Sequence, residues 1–350
     1  MHAESIVTLS AGRLRASVCP GLGAGLADFS LRGPTGFFFP LMRRAAAGET
    51  NASLLASFFM APWVNRIRSG TFALGDRVIT LRTNTADQMA QHGDVRRRAW
   101  NIVQDTPTPA AARADGSPNE QASVTLEYNS ADANDSNWPW RYRVRAGYRL
   151  SPSALSIELS VQNDDVEPFP AGCGHHPYFA RRLWDDRDDL HLRVPTSGRY
   201  PLEQGCSVGD AVDDELSARL RSLAPVPAAT VDGCFRGTTA DTPGADASDE
   251  AARSAELHWP SSGVRLRIVP SANLGHWVVF CPRTPSPKEG PLSFVAVEPQ
   301  SQANDALNLA ARLGYRPGAK GGAKGDPTGT VLLAPGARLE TRVRFEVTSD

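Results

Sequence analysis

The amino-acid sequence predicts a large antiparallel β-sandwich with few short helices. Three observations carry this: period-two alternation of apolar and polar residues in segments spread along the chain, glycine and proline gathered between those segments, and the want of any long helical stripe. The alternation is clear in VRLRIV (264–269), where apolar residues and arginines take turns. RLETRVRFEV (338–347) sets Leu339, Val343, Phe345 and Val347 on one face and arginines on the other. ASVTLEY (122–128), RYRVRAGYRL (141–150) and ALSIELSVQN (154–163) follow the same logic, and the last two flank the polar SPS, which reads as a hairpin turn. The 30 glycines and 27 prolines of the 350 residues fall mostly between such runs. Short helices are expected only around 51–59 and 208–223. Loops or insertions are expected at 107–120, 237–254 and 315–329, and alternation of one type resumes after each, so the whole chain, 1–350, is read as one sandwich domain.

Composition excludes several classes of function. A net charge of −1 supplies no field for a polyanion, and the basic cluster Arg96–Arg98 has no interleaved aromatic platform, so no nucleic-acid partner is expected and the cluster reads as a solvated face. The longest near-apolar run, LLASFFMAPWV (54–64), is too short to cross a bilayer, and MHAESIVTLS lacks a signal-peptide pattern. No membrane association and a cytoplasmic location are therefore expected. Five scattered cysteines, Cys19, Cys173, Cys206, Cys234 and Cys281, fit reduced thiols rather than a disulfide framework or a zinc cluster. No glycine-rich phosphate loop follows a strand, which removes local support for a nucleotide-binding fold.

Chemistry-bearing residues gather in five islands: WVNRI (63–67), QHGD (91–94), HHPYF (175–179), VDGCF (231–235) and VAVEPQ (295–300). Glu298 follows an apolar strand pattern in which it shares a face with Phe294 and Ala296, a costly place for a carboxylate unless it is paired or used. Pro177 pushes His176 towards an extended backbone, which sends His175 and His176 to opposite faces. Residue physics alone thus gives a β-rich protein with a His/Glu acid–base site, alongside the alternative readings of a structural ion pair and of hydrogen-bonded core histidines.

Taken together, and in this order, the islands resemble the aldose 1-epimerase (mutarotase) family of the galactose-mutarotase-like superfamily, over nearly the whole chain. The resemblance implies a galactose-mutarotase-like supersandwich that interconverts the α and β anomers of a free hexose by acid–base ring opening and closure. It implies Glu298 as the base on the C1 hydroxyl and His176 as the acid on the ring oxygen, with a bell-shaped pH dependence of kcat/KM. Arg66, His92 and Asp232 would bind the sugar, and Trp63, Tyr178 and Phe179 would offer apolar walls; His175 becomes a structural histidine. No carbon–hydrogen bond breaks in such a reaction, so no cofactor and no metal are expected. The implied partner is a small-molecule sugar, with the protein a monomer or a homodimer. Asp94 replaces the family's usual second glycine after H-G, and Trp63 is bulky beside N-R-I, which leaves the preferred sugar open. The alternatives are an epimerase for a phosphorylated hexose, with Arg68 and Arg96–Arg98 as anion ligands, and a non-catalytic carbohydrate-binding sandwich.

Overall fold

A computed structural model describes residues 6–106, 121–227, 229–238, 249–282, 293–315 and 326–349. The expected loop at 107–120, and the middle of those at 237–254 and 315–329, lie outside the described residues. The alternating segments form strands whose inward residues are buried, as the pattern requires. Two large antiparallel sheets result, one of ten strands and one of nine.

The nine-stranded sheet is built around Arg338–Ser349, which pairs with Ala154–Asn163 on one side and Val264–Pro270 on the other. The hairpin Tyr142–Leu150/Ala154–Asn163 forms as expected, and Ala122–Asn129 continues the sheet beyond it. Leu339, Val343, Phe345 and Val347 all point into the core. The ten-stranded sheet carries five strands that matter for the site: β1 (Ser57–Met60), β2 (Gly174–Ala180), β3 (Val231–Gly237), β4 (His276–Cys281) and β5 (Phe294–Gln300). Their spatial order is β1-β2-β5-β4-β3. Both large sheets contribute to one buried apolar core, where Phe345 of one meets Phe29 and Phe179 of the other at ring-centroid distances of 6.4 and 6.1 Å.

The ten-stranded sheet is unusual in being apolar on its outer face as well. Phe58, Met60, Val64, Tyr178 and Ala296 form one outer cluster, and Tyr200, Cys234, Val278, Ala303 and Leu309 form another. The sheet is therefore covered on that side, and its central strands read as apolar runs with few polar interruptions.

Helices are short. Glu215–Leu220 forms within the expected 208–223 window, capped by Asp214, whose side chain accepts from Ser217 N. At 51–59 the expectation fails: only a single 3₁₀ turn, Ala52–Leu54, precedes β1. The reason lies in the sheet, since Ser57–Pro177 and Phe58–His176 pairing makes the apolar run a strand buried on both faces, which period alone does not separate from a helix. Ala306–Arg312 is a helix that the sequence reading did not list. The described residues contain no helix long and apolar enough to cross a membrane, and all five cysteines are unpaired.

His175 is buried in the inter-sheet core, edge-on to Phe59 at 5.3 Å. Neither of its ring nitrogens has a partner among the described residues, so the expected hydrogen-bonded histidine is not what the fold provides. Burial pushes His175 down to about 3. His276 is pushed by burial to about 4, between Ser301 O at 3.1 Å and Pro327 O at 3.0 Å. The unfolded chain takes up a proton at each near pH ~6.5, while the folded chain resists until about 3 to 4. Stability is therefore complete above the unfolded value and is lost as pH falls below it. Denaturant midpoints are expected to drop between pH 7 and pH 4, and His175→Leu should flatten that slope by up to ~1.4 kcal/mol per pH unit. An unaltered slope in urea titrations of the variant would remove His175 from the account.

Candidate active site

The site is a product of strand register. Phe58, His176, Glu298, Val278 and Cys234 occupy one row across β1, β2, β5, β4 and β3; the His176–Glu298 step follows from the flanking pairs Gly174–Gln300 and Tyr178–Ala296. His176 Nε2 lies 3.1 Å from Glu298 Oε1, with both side chains buried on the outer face of the sheet. Phe58 stacks on the His176 ring at 4.5 Å, and Tyr178 lies against it at 4.6 Å. His176 Nδ1 and Glu298 Oε2 are buried without a partner among the described residues.

Burial sets the proton inventory of this pair. Desolvation, with repulsion from Arg96, Arg43 and Arg66, pushes His176 down to about 3. Burial and the charge of Asp232 hold Glu298 well above the ordinary carboxylate range, while Arg66 pulls the other way. Burial thus favours a neutral carboxylic acid beside a neutral imidazole over the ion pair. Burial therefore opposes the ionised carboxylate and imidazolium that the base and acid roles require, although the two forms contain the same number of protons.

The remaining polar groups arrive on irregular chain outside the sheet. Arg66 and Gln91 are paired across a two-residue ladder, which brings N-R-I and Q-H-G side by side. Asn65 and His92 both take left-handed backbone, at φ 47° and 63°, and Asn65 O accepts from His92 N at 2.6 Å. Gly93 follows at φ 70°, and a Cβ there would stand 2.3 Å from Ala61 O. His92 is aimed by this kink at Met60, with Nδ1 3.1 Å from the sulfur, and its ring meets His176 edge-on at 5.1 Å. Burial and then His176 hold His92 well below the usual imidazole range, so it is neutral. The Arg66 guanidinium donates to Asn65 Oδ1 at 2.9 Å and lies on Gly205, where a Cβ would come within 2.7 Å of its carbon. Asp232 is exposed, one row from Glu298, opposite Phe280.

Glu298, His176, His92, Arg66, Asp232 and Tyr178 are thus brought to one region of the outer face. Trp63 is not: it is buried in the core, stacked on Trp138 at 5.4 Å, with Nε1 donating to Ala90 O. Its bulk beside N-R-I packs inward and presents no face to a sugar. Phe179, next to Tyr178 on an extended strand, points into the inter-sheet core for the same alternation that turns Tyr178 outward. The reading of Arg96–Arg98 as a solvated face also fails for Arg96, which is 5% exposed and lies over Phe58 at 5.4 Å. Sequence reading also missed Phe58, Met60 and Arg43, whose only signal was position inside or beside an apolar run. Among the described residues no three His, Cys, Asp or Glu side chains are grouped to hold a metal ion.

Two packed antiparallel sheets, one covered on its outer face and carrying a buried imidazole–carboxylate row there, define a galactose-mutarotase-like sandwich. The chain belongs to the aldose 1-epimerase family, whose model matches residues 5–312. It is 24% identical to the uncharacterised protein YphB of Escherichia coli K12 over 306 residues, covering 86% of this chain and 89% of that one. Among solved structures, a galactose mutarotase-like protein of Clostridium acetobutylicum superimposes with a TM-score of 0.78 at 17% identity, covering 98% and 95% of the two chains. The GalM/aldose epimerase homologue of C. elegans gives 0.73 at 16% identity, covering 99% of each.

The backbone at Gly93 generates one expectation. Gly93→Ala should cost more than ~1 kcal/mol of stability, because alanine tolerates neither the positive φ nor the closeness of Ala61. Thermal denaturation checks this, and a variant as stable as the parent would show that the 61 and 93 segments separate freely.

Proposed function

We propose that the protein is an aldose 1-epimerase that interconverts the anomers of an aldose by ring opening and closure. The observation that carries this reading is the direct 3.1 Å contact between His176 Nε2 and Glu298 Oε1 on a buried row. O1 and the ring oxygen are both bonded to C1, so the two groups that move protons must stand close together, and this pair does.

Moving the shared proton from Glu298 to His176 leaves the pair's net charge unchanged, and Arg66 favours the carboxylate so formed. Glu298 then removes the proton from O1 as His176 delivers its proton to the ring oxygen. The O1–H electron pair becomes the C1=O1 π bond, and the C1–O5 pair goes to the ring oxygen. Opening leaves Glu298 protonated and His176 neutral, the form that burial prefers. After rotation about C1–C2, Glu298 returns its proton to the carbonyl oxygen, His176 takes the proton of the C5 hydroxyl, and the ring closes on the other face. Each well-placed group supplies ~10²–10⁴-fold. Neutral His92 and cationic Arg66 hold sugar hydroxyls and the charge developing at the ring oxygen, Asp232 holds another hydroxyl, and Tyr178 bounds the ring.

Glu298→Gln, which keeps the side-chain shape, is expected to lower the rate at which a fresh α-anomer relaxes by ~10²-fold or more, read by polarimetry or NMR. Parent-like turnover would overturn the role of Glu298, and a parent rate no faster than buffer would leave a sugar-binding sandwich. The one-proton pair also fixes a pH dependence. On the acid side kcat/KM should fall only near pH 3, where His176 takes up the second proton. On the alkaline side it should fall once the proton held by Glu298, raised by burial, is lost. An acid-side half-fall centred near ~6.5 would assign that limb to an unburied imidazole instead.

A further inference from the structure

Two residues depart from the family pattern, Asp94 after H-G and Trp63 before N-R-I, and both reach the same piece of chain. Trp63 stacks on Trp138, while Asp94 meets Ser136 and Tyr142. Residues 135–142 lead into the strand Tyr142–Leu150 of the nine-stranded sheet. A connection belonging to one sheet therefore clasps the two kinks that serve the other.

Asp94 is the stronger tie. Its side chain is 6% exposed and is surrounded by donors. Tyr142 Oη donates to Oδ2 at 2.7 Å, Arg98 Nη2 donates to Oδ1 at 2.7 Å, and Ser136 Oγ stands 3.3 Å from Oδ2. Arg98 is itself held by Asp135, through an ion pair and through Nη2, which donates to the Asp135 carbonyl at 2.8 Å. Burial and the charge of Asp94 hold Tyr142 well above the usual phenol range, so its hydroxyl keeps the proton it donates. On the other side, Asp94 N donates to Ala61 O at 2.8 Å, the same carbonyl that crowds Gly93. The left-handed pair His92–Gly93 thus runs between two fixed points, Asn65 O at one end and the Asp94 carboxylate at the other. Left-handed backbone at a histidine costs energy and persists only where its surroundings hold it. A glycine at 94 would keep the backbone bond to Ala61 and give up the tie to Tyr142 and Arg98.

We propose that Asp94 is a positioning residue: by fastening the His92–Gly93 kink to Tyr142 and Arg98, it sets the His92 imidazole edge-on against His176. The inference rests on the epimerase reading for the effect on rate, and on the geometry alone for the effect on the imidazole. In that reading His92 meets charge that develops as the ring opens, so its displacement lowers kcat more than it raises KM.

The test uses Asp94→Asn, which keeps the shape but loses the charge facing Arg98, and Tyr142→Phe, which removes one hydroxyl and leaves Asp94 in place. Each is measured at a temperature where circular dichroism shows it folded. Polarimetry gives kcat and KM for whichever of glucose, galactose and glucose 6-phosphate the parent turns over fastest. Long-range proton–nitrogen NMR of histidine-labelled protein follows the His92 ring, which His176, Arg66, Arg96 and Arg97 all help to keep neutral. In the parent this ring should not titrate between about pH 5 and 8. In Asp94→Asn it is expected to titrate towards ~6.5, with kcat down ~10-fold or more and KM within ~3-fold. Tyr142→Phe should move both readouts the same way and less far. Folded variants whose His92 ring behaves as in the parent would overturn the positioning role, whatever their melting temperatures. A displaced ring with parent-like kcat would uphold the positioning and remove His92 from the proton chemistry. If the parent turns over none of the sugars, the epimerase reading fails on its own, and the His92 resonances still decide the role of Asp94.

Discussion

The structure depends on placing a carboxylate and an imidazole opposite each other in the middle of a covered sheet. Neither group tolerates a charge there without help, so burial favours the neutral form of each, and each partner satisfies one polar atom of the other. A slip of β2 by one residue against β5 would turn His176 into the inter-sheet core and bring His175 outward beside Glu298. The core between the sheets guards against that slip, because His175, Phe179, Val295 and Val297 already fill it.

Around this pair the chain uses strain and close approach to deliver groups that strands cannot. Two left-handed residues, Asn65 and His92, lean on each other through a backbone hydrogen bond, and glycine at 93 and 205 admits the Ala61 backbone and the Arg66 guanidinium. The short Asn-Arg and His-Gly motifs are thus one device: two kinks that hold an arginine and a neutral imidazole over the row. Asn65 follows Val64 of one outer apolar cluster, and His92 packs on Phe58 and Met60 of the same cluster.

Much of this was legible in the sequence, for reasons that differ from part to part. Alternation over 122–128, 141–150, 154–163, 264–269 and 338–347 announced strands because each has one solvated face. The apolar run at 57–60 carried no such signal, since both of its faces are covered, and a helix there was the natural misreading. Glu298 declared itself as a lone carboxylate on an apolar face, and Pro177 separated the two histidines. What the sequence hid was direction: Trp63 turns inward to Trp138, and Arg96 turns inward beside a solvent-facing Arg97, both decided by contacts from distant parts of the chain. The orphaned nitrogens of His175 were equally invisible, because nothing local tells a bonded imidazole from an unbonded one.

The two halves of the site are anchored differently. His176 and Glu298 sit on strands with neighbours on both sides, among the parts of a fold that open last. Arg66 and Arg96 sit on a two-residue ladder and a single 3₁₀ turn, while Arg43 is tied to β2 by its backbone N–H, which donates to Tyr178 O at 2.7 Å. The imidazole–carboxylate row and two of the guanidiniums beside it are therefore held by separate parts of the chain, so connecting chain around Arg66 and Arg96 can change while the ladder that aligns His176 and Glu298 is left untouched. Substitutions in that connecting chain are free to accumulate without disturbing the register of the row.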